Sequence, residues 1–477
     1  LKKIAGIYFY YGFKGVIKAL KNKFSRRNAL DGFPTSVFFN QNYHSYIPLS
    51  SSKKKDVSAL MVSVIVPNYN HADFLEERLD SIYNQTYGNY EVILLDDVSS
   101  DHSREILERY QKKYPKKTKL LFNEQNSGSP YKQWKKGITA ATGDLIWIAE
   151  SDDFCDLNFL EEHVTAFEDD AVMLSFSPSI FIKNGKKCDS SYRNLADCIP
   201  KSAWEKSFVV SAHKFVNQFL ALKNVIINVS ACVFRKVDFT LLDQSDWFNY
   251  RLCGDWIFYL NLIVGGKVVY NNGSINYYRI HAKSTSLSVQ KQLCYYKEHE
   301  KVACEIVRLY KVNWSAIQKN HYVLETKFKR DFGNRYQFKD FYDLNNVIKC
   351  FAERKPNILM CCYALISGGG ETFPISLANG LKKRGFPVTL FDFAAAERNL
   401  TIKQRILKNI PIVKNQGLIN NLIEEFGIDV VHTHHAFVDS TFADVKSNFN
   451  NFKHIITMHG MYELMDNFEQ NCAPQLS

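Results

Sequence analysis

The chain has 477 residues, 46% hydrophobic and 23% charged, a balance that fits two or three globular domains with real cores and excludes wholesale disorder. Its formal net charge of +11 favours anionic partners, whether nucleotide phosphates, acidic lipid or nucleic acid, without choosing among them. The eleven cysteines form no CxxC pair, so neither a zinc spacing nor a disulfide framework is indicated and a reducing compartment is expected.

No secretory signal stands out, and a start at Leu1 rather than Met leads us to expect a piece of a longer protein. Ile4 to Leu20 are apolar and aromatic but carry Lys14 and Lys18, and Lys21, Lys23, Arg26 and Arg27 follow. A spanning helix needs roughly 20 mostly apolar residues, and this stretch falls short. Two readings stand: an ordinary helix joined to an upstream domain, or a basic amphipathic helix lying on an anionic membrane surface. Pro34, Pro48, Ser50 to Ser52 and Lys53 to Lys55 mark a linker, so residues 1–60 form an N-terminal helix and linker.

From there the pattern becomes regular. Val62 to Val66 is a β-branched run stopped by Pro67, which predicts a buried strand and a turn. Phe74, Leu75, Leu79 and Ile82 have helical spacing. Tyr90 to Leu95 is a second strand ending in Asp96 and Asp97, and a helix follows over 103–114. Leu120 to Phe122 reads as a strand, 132–141 as a helix, and Leu145 to Ala149 as a strand that runs into Glu150, Ser151, Asp152 and Asp153. Alternating strands and helices imply βαβ units and a mostly parallel sheet, in which ligands bind beyond the carboxyl ends of the strands. The acidic residues sit at those ends and should converge on one cleft. Residues 288–353 read as a charged helical connector without a recognisable chemical motif. A second α/β unit starts with a strand at Pro356 to Met360, a glycine-rich turn at Ser367 to Gly370, a helix over 372–384 closed by Gly385, and a strand at Val388 to Phe391. Strands follow near Asp429 and Ile455, and residues 354–477 form an incomplete domain.

Carboxylates beside a nucleotide diphosphate make sense only with a divalent cation between them, and Mg2+ or Mn2+ bridges phosphates in this way. One Asp pair at a strand end is weak evidence, because Asp is common in turns and at helix N-caps, and Asp101 has the position of such a cap. Two clusters at adjacent strand ends are a stronger signal.

In order and separation, Val64 to Asn70, Leu95 to Asp101 and Gly143 to Asp153 resemble the successive signatures of family 2 glycosyltransferases, over roughly residues 62–285. The resemblance implies a GT-A nucleotide-diphospho-sugar transferase fold in residues 61–287. It also implies an inverting transfer from a nucleotide sugar, with a UDP-sugar expected, to a glycan or lipid-linked acceptor on the cytoplasmic side. Pro67, Tyr69 and Asp97 would line the base and ribose, with Asp96 close by. Glu150 and Asp152 match the motif that holds metal and diphosphate, with Glu where the family has Asp. Asp153 is a substitute ligand. Arg251 to Trp256 resembles the segment carrying the general base, which makes Asp255 the candidate. Many relatives have Glu-Asp where this chain has Gly254-Asp255, and Asp255 as a helix cap is the structural alternative. Tyr277 to Ser284 resembles the closing motif, so His281 would contact metal or diphosphate.

Cys361 to Phe391, with Gly369 and Gly370, is similar to the opening of a family 4 glycosyltransferase, whose GT-B fold pairs two Rossmann-like domains. His432 to His435 and Thr457 to Gly460 fit the same half. A glycine-rich strand-to-helix turn suits close approach of a phosphate or sugar, but dinucleotide-binding spacing is not met. The histidines lack the rest of a metal set. The family's donor-binding half is missing, so this portion alone is expected to be inactive.

Two other readings compete. A nucleotidyltransferase needs a glycine-rich loop with Lys or Arg after the first strand, where this chain has Pro67 to His71. A non-catalytic nucleotide-sugar module is kept open by Gly254 and Glu150. Nucleic-acid binding wants a basic stripe with interleaved aromatics, and the lysines here are scattered, so no nucleic-acid partner is expected.

Overall fold

The computed structural model describes residues 59–188, 204–281, 292–365, 369–395, 400–415, 419–448 and 451–457. The Ile4 to Leu20 stretch, the linker to residue 58, the Ser367-Gly368 part of the glycine turn, Ala282 to Ser284 and the His459-Gly460 pair lie outside them. The strands in chain order are β1 (Val62–Val66), β2 (Tyr90–Asp96), β3 (Thr118–Phe122), β4 (Leu145–Ile148), β5 (Phe154–Cys155) and β6 (Val172–Phe176). Next come β7 (Ser179–Lys183), β8 (Lys186–Lys187), β9 (Phe208–Ser211), β10 (Cys232–Arg235), β11 (Lys267–Tyr270) and β12 (Asn276–Ile280). The last five are β13 (Ile358–Cys362), β14 (Val388–Asp392), β15 (Ile412–Lys414), β16 (Val430–Thr433) and β17 (Lys453–Ile456).

An eight-stranded sheet has the order β3-β2-β1-β4-β10-β6-β11-β9, a four-stranded sheet the order β5-β12-β7-β8, and a five-stranded sheet the order β15-β14-β13-β16-β17. In the first sheet β10 and β9 run against the other strands. All five strands of the third sheet are parallel. β1 is buried along its whole length, as expected of a central parallel strand covered on both faces. Helices α1 (Ala72–Tyr83), α2 (Ser103–Lys113) and α3 (Pro130–Ala140) connect the first four strands. Leu75, Leu79 and Ile82 of α1 fall on one face and are completely buried against β1 and β2.

Register decides where the acids go. Val66 pairs with Leu94 and Ile65 with Ile148. Carried one or two residues further, these pairings bring Pro67, Asp96 and Glu150 to the same edge. β12 pairs antiparallel with β5, Tyr277 opposite Phe154. That pairing returns the end of β12 to Asp152, which lies just ahead of β5.

The third sheet docks against the first through polar contacts. Asp238 and Asn409 exchange two hydrogen bonds, Asn409 receiving from the Asp238 amide at 2.9 Å and donating to its carbonyl at 3.0 Å. Thr389 donates to the Gly265 carbonyl at 2.8 Å, Lys403 meets Asp170 at 2.6 Å, and Lys214 pairs with Glu425. Gly369 and Gly370 open the helix Gly369–Lys383.

Helix α3 crosses β1 at Gly137, where a Cβ would lie 2.3 Å from Ile65 Cγ2. Ile65 is β-branched, fully buried and stiff at χ1, so it cannot swing aside. Alanine gains about 1 kcal/mol of helix propensity, but overpacking costs about 1–3 kcal/mol. Gly137→Ala should therefore be a net loss, read as a lower urea midpoint at unchanged slope.

Candidate active site

β2 ends in two acids with different surroundings. Asp96 is completely buried and does not line the cavity described below. It accepts from Asn68 Nδ2 at 3.1 Å, the Ser99 amide at 3.0 Å and Arg104 Nε at 2.7 Å, which ties the turn after β1 to the turn after β2. Asp97 lines the cavity. Its Oδ1 accepts from Asn123 Nδ2 at 2.6 Å, the Ser127 amide at 2.8 Å and Gln133 Nε2 at 2.9 Å, and its Oδ2 accepts from Ser127 Oγ at 2.7 Å. Asp97 thus fixes the 123–129 loop as a wall. Val98 next to it has φ 64°, an αL conformation that costs a β-branched residue about 1–3 kcal/mol and persists because both neighbours are pinned. The N-cap positions of α1 and α2 are His71 and His102, and Asp101 supports both from beside them, its carboxylate accepting from the Ala72 and Ser103 amides at 3.0 Å each.

The second cluster lies across the same cavity. Glu150 is lodged against Arg78, a completely buried cation whose Nε donates to the Glu150 carbonyl at 3.1 Å and whose guanidinium lies over Trp147. Burial first, then the charges of Asp152, Asp153 and Asp255, push the Glu150 carboxyl well above the usual range. For Asp152, burial pushes up, but the hydrogen bond from His281 and the charges of His71 and His281 outweigh it and hold the carboxyl below its ordinary value. His281 Nε2 lies 2.9 Å from Asp152 Oδ2, and Arg279 Nη1 donates to the Asp152 carbonyl at 2.7 Å. Asp153 is completely buried and points away from the cavity, accepting from Asn228 and, at 3.1 Å, from the Arg279 amide. Burial pushes it up to about 7.

His71 joins this cluster from the turn after β1. Its Nδ1 is 2.8 Å from Ser151 Oγ, and its ring stands edge-on to that of His281 with centroids 5.4 Å apart. One potential ligand atom each from His71, Asp152 and His281 lie within 4.8 Å of one another. Two imidazoles and a carboxylate are a donor set that first-row transition ions accept more readily than Mg2+, with Mn2+ the weakest binder of that series, and the Glu150 carboxylate on the same wall adds the oxygen donor that Mn2+ and Mg2+ favour. A cation bound there would compete with the His281–Asp152 hydrogen bond for the Asp152 carboxylate.

Asp255 stands in the first turn of helix α4 (Gly254–Ile263). The cap position belongs to Cys253 and carries no side-chain cap. Asp255 accepts from the Trp256 amide at 2.7 Å and from Asn224 Nδ2 at 3.1 Å. Burial pushes its carboxyl up to about 7 against these hydrogen bonds. Gly254 has a steric cause: a Cβ there would lie 2.5 Å from the Trp247 carbonyl and 2.7 Å from the Tyr131 ring, so a glutamate has no room. The charged connector also reaches the site, since Tyr295 and His299 of α5 (Leu293–Leu309) line the cavity.

One cavity of about 900 Å3 lies between these segments. It collects Pro67, the half-exposed Tyr69, Asp97, Glu150, Asp152, Asp255 and His281, and leaves Asp96 and Asp153 behind its wall. Sequence reasoning missed His71 and α5. His71 follows the Asn68-Tyr69-Asn70 turn directly, and that adjacency was the signal for it.

Residues 63–236 match the family described as glycosyl transferase family 2, and residues 367–475 match glycosyltransferase family 4. The chain carries one domain of each family. With the eight-stranded sheet, the first match gives the GT-A fold, and the protein is a glycosyltransferase. Asp255 and His281 lie beyond the matched part. Among curated relatives, the putative teichuronic acid biosynthesis glycosyltransferase TuaG of Bacillus subtilis is 27% identical over 54% of this chain and 94% of that protein. The poly(ribitol-phosphate) beta-N-acetylglucosaminyltransferase TarS of Staphylococcus aureus is 34% identical over 23% of this chain and 19% of its own length. The crystal structure of S. aureus TarS 1-349 with UDP aligns at TM-score 0.42 and 19% identity, over 61% of this chain and 80% of that one. The mannosyltransferase PcManGT from Pyrobaculum calidifontis, with GDP-Man and Mn2+, aligns at TM-score 0.41 and 15% identity, over 67% and 91%. Among the described residues, no helix of this glycosyltransferase is long and apolar enough to cross a membrane.

Asp153 and Asp255, both raised to about 7, contribute stability that is full below the unfolded value near 4 and is lost as pH rises through about 7. A cation offsets the repulsion that then appears. Calorimetric scans should show Mn2+ raising Tm more at pH 8 than at pH 5.5, and Asp152→Asn should remove most of that rise.

Proposed function

We propose that this glycosyltransferase moves a sugar from a nucleotide-diphosphate sugar to an acceptor hydroxyl with inversion at the anomeric carbon. The observation that carries the reading is the single cavity shared by Asp97, Glu150, Asp152, His281 and Asp255. Pro67, Tyr69 and Asp97 hold the nucleoside, with Asp96 supporting their turns from behind. Asp152 and His281, with His71 and Glu150, hold Mg2+ or Mn2+. When bound, that ion neutralises the diphosphate and eases its departure. Asp153 is a supporting residue of this wall. Asp255 takes the acceptor proton as the hydroxyl oxygen attacks the anomeric carbon. The bond from that carbon to the diphosphate oxygen breaks, and its electron pair stays with the leaving diphosphate.

A UDP-sugar is the proposed donor. The proposed acceptor is a glycan or lipid-linked glycoconjugate bearing phosphate or carboxylate. Lys223 and Arg251 support this, since both line the cavity beside the two segments that hold Asp255. TuaG and TarS, by their names, work on teichuronic acid and poly(ribitol-phosphate). The site of action is the cytoplasm, at the inner face of the cell membrane. Residues 61–287 and the helices of 288–353 act together. The domain over 354–477, with Gly369 and Gly370 at its sugar or phosphate turn, belongs to a second transferase.

Asp255 works as a base only when ionised. Burial pushes it to about 7 and a bound cation draws it lower, so kcat/KM for UDP release should show an acid limb below pH 7. Asp255→Asn should lower kcat by about 100-fold or more while leaving UDP–Mn2+ affinity in calorimetry unchanged. Wild-type turnover in that variant would leave a non-catalytic Asp255, and donor binding without turnover in the parent would favour the binding-module reading.

A further inference from the structure

The segment that delivers Asp255 is held from outside the GT-A sheet. Glu298 of α5 is buried, and its carboxylate accepts from three consecutive amides: Arg251 at 2.7 Å, Leu252 at 2.9 Å and Cys253 at 2.8 Å. Helix α4 has no side-chain cap of its own, so the anion before its N-terminus comes from another helix. Tyr131 donates to the Leu252 carbonyl at 2.6 Å and clamps the same segment from the other side. Further along, α5 is fastened to α4 by Asn261 on Glu305 at 2.8 Å and by Tyr310 on the Leu260 carbonyl at 2.6 Å. Trp256 packs edge-on against His299, one residue after Glu298.

We infer that Glu298 is a positioning residue for the reaction: through the 251–253 amides it sets the place of the Asp255 carboxylate at the acceptor end of the cavity. The inference rests on the proposed role of Asp255. A base misplaced by about 1 Å can cost about 100-fold in rate, so a rigid anchor two residues ahead of it matters for catalysis as well as folding. Glu298 also acts on Asp255 by charge. The ionisable groups facing that carboxyl are Tyr131, Glu150, Cys232, Cys253, Tyr259 and Glu298. As an anion, Glu298 disfavours ionisation of the base.

The test measures UDP release by the full chain with Mn2+ and the UDP-sugar it hydrolyses fastest, across pH, in Glu298→Gln, Glu298→Asp and Asp255→Asn. Glu298→Gln keeps the size and loses the charge, so kcat should fall about tenfold and the acid limb should move to lower pH. Glu298→Asp keeps the charge and shortens the reach, so kcat should fall with the limb in place. UDP–Mn2+ affinity should stay within about twofold in both. A wild-type rate and limb in Glu298→Gln would overturn the inference. So would donor affinity and Tm falling in step with kcat in both variants, which would mark Glu298 as a folding residue. If Asp255→Asn itself releases UDP at the wild-type rate, the base assignment fails first.

Discussion

The 2.9 Å contact between Asp152 and His281 joins two different sheets, and the site depends on it. Asp152 follows β4 of the large sheet, and His281 follows β12 of the small one. They meet because β5, immediately after Asp152, pairs antiparallel with β12. Arg279 reinforces the closure: its side chain binds the Asp152 carbonyl, its amide binds Asp153, and its guanidinium lies over Phe154. Without that pairing the carboxylates would still end their strands, but the two imidazoles would have no carboxylate to share.

The cluster shows how a fold tolerates crowded acids. Glu150, Asp152, Asp153 and Asp255 repel one another in a desolvated place, where like charges are far more costly than in water. Arg78 and Arg279 offset part of this, and Glu150, Asp153 and Asp255 answer the rest by holding their protons to unusually high pH. Such an arrangement is a poor stability device, and clustered perturbed acids in a cleft mark a candidate functional site, here proposed to receive a cation that carries a diphosphate. The same desolvation leaves Asp255 titrating near neutrality, which suits proton transfer.

The first half of the large sheet was legible because central parallel strands are continuous apolar runs, and β1, β2 and β4 end at Pro or at acids. β6 to β12 were not legible: they divide between two sheets, β8, β9 and β10 run against their neighbours, and register rather than composition defines them. Among the site residues, Asp97 and Asp152 stood at strand ends where periodicity leads the eye. Asp96 and Asp153 share those strand ends but lie behind the wall, a difference of side-chain direction that no spacing reveals. His71 was missed although it follows the Asn68-Tyr69-Asn70 turn directly, because a single histidine in a turn carries no periodicity of its own. Glu298 was missed because it is one acid in a charged helix, and its three partners lie 45–47 residues away. Gly254, which reads as a departure from the family, has a local cause in the Tyr131 ring.

The central claim is that side chains from both sheets share one cation and that this cation carries the diphosphate. Anomalous diffraction at the manganese edge, from crystals grown with Mn2+ and UDP, tests it most directly. The account predicts one peak about 2 Å from an Asp152 oxygen, in contact with His281 and with a diphosphate oxygen, and the uracil beside Tyr69. A diphosphate bound with no manganese at Asp152, or a manganese site outside this cavity, would contradict it.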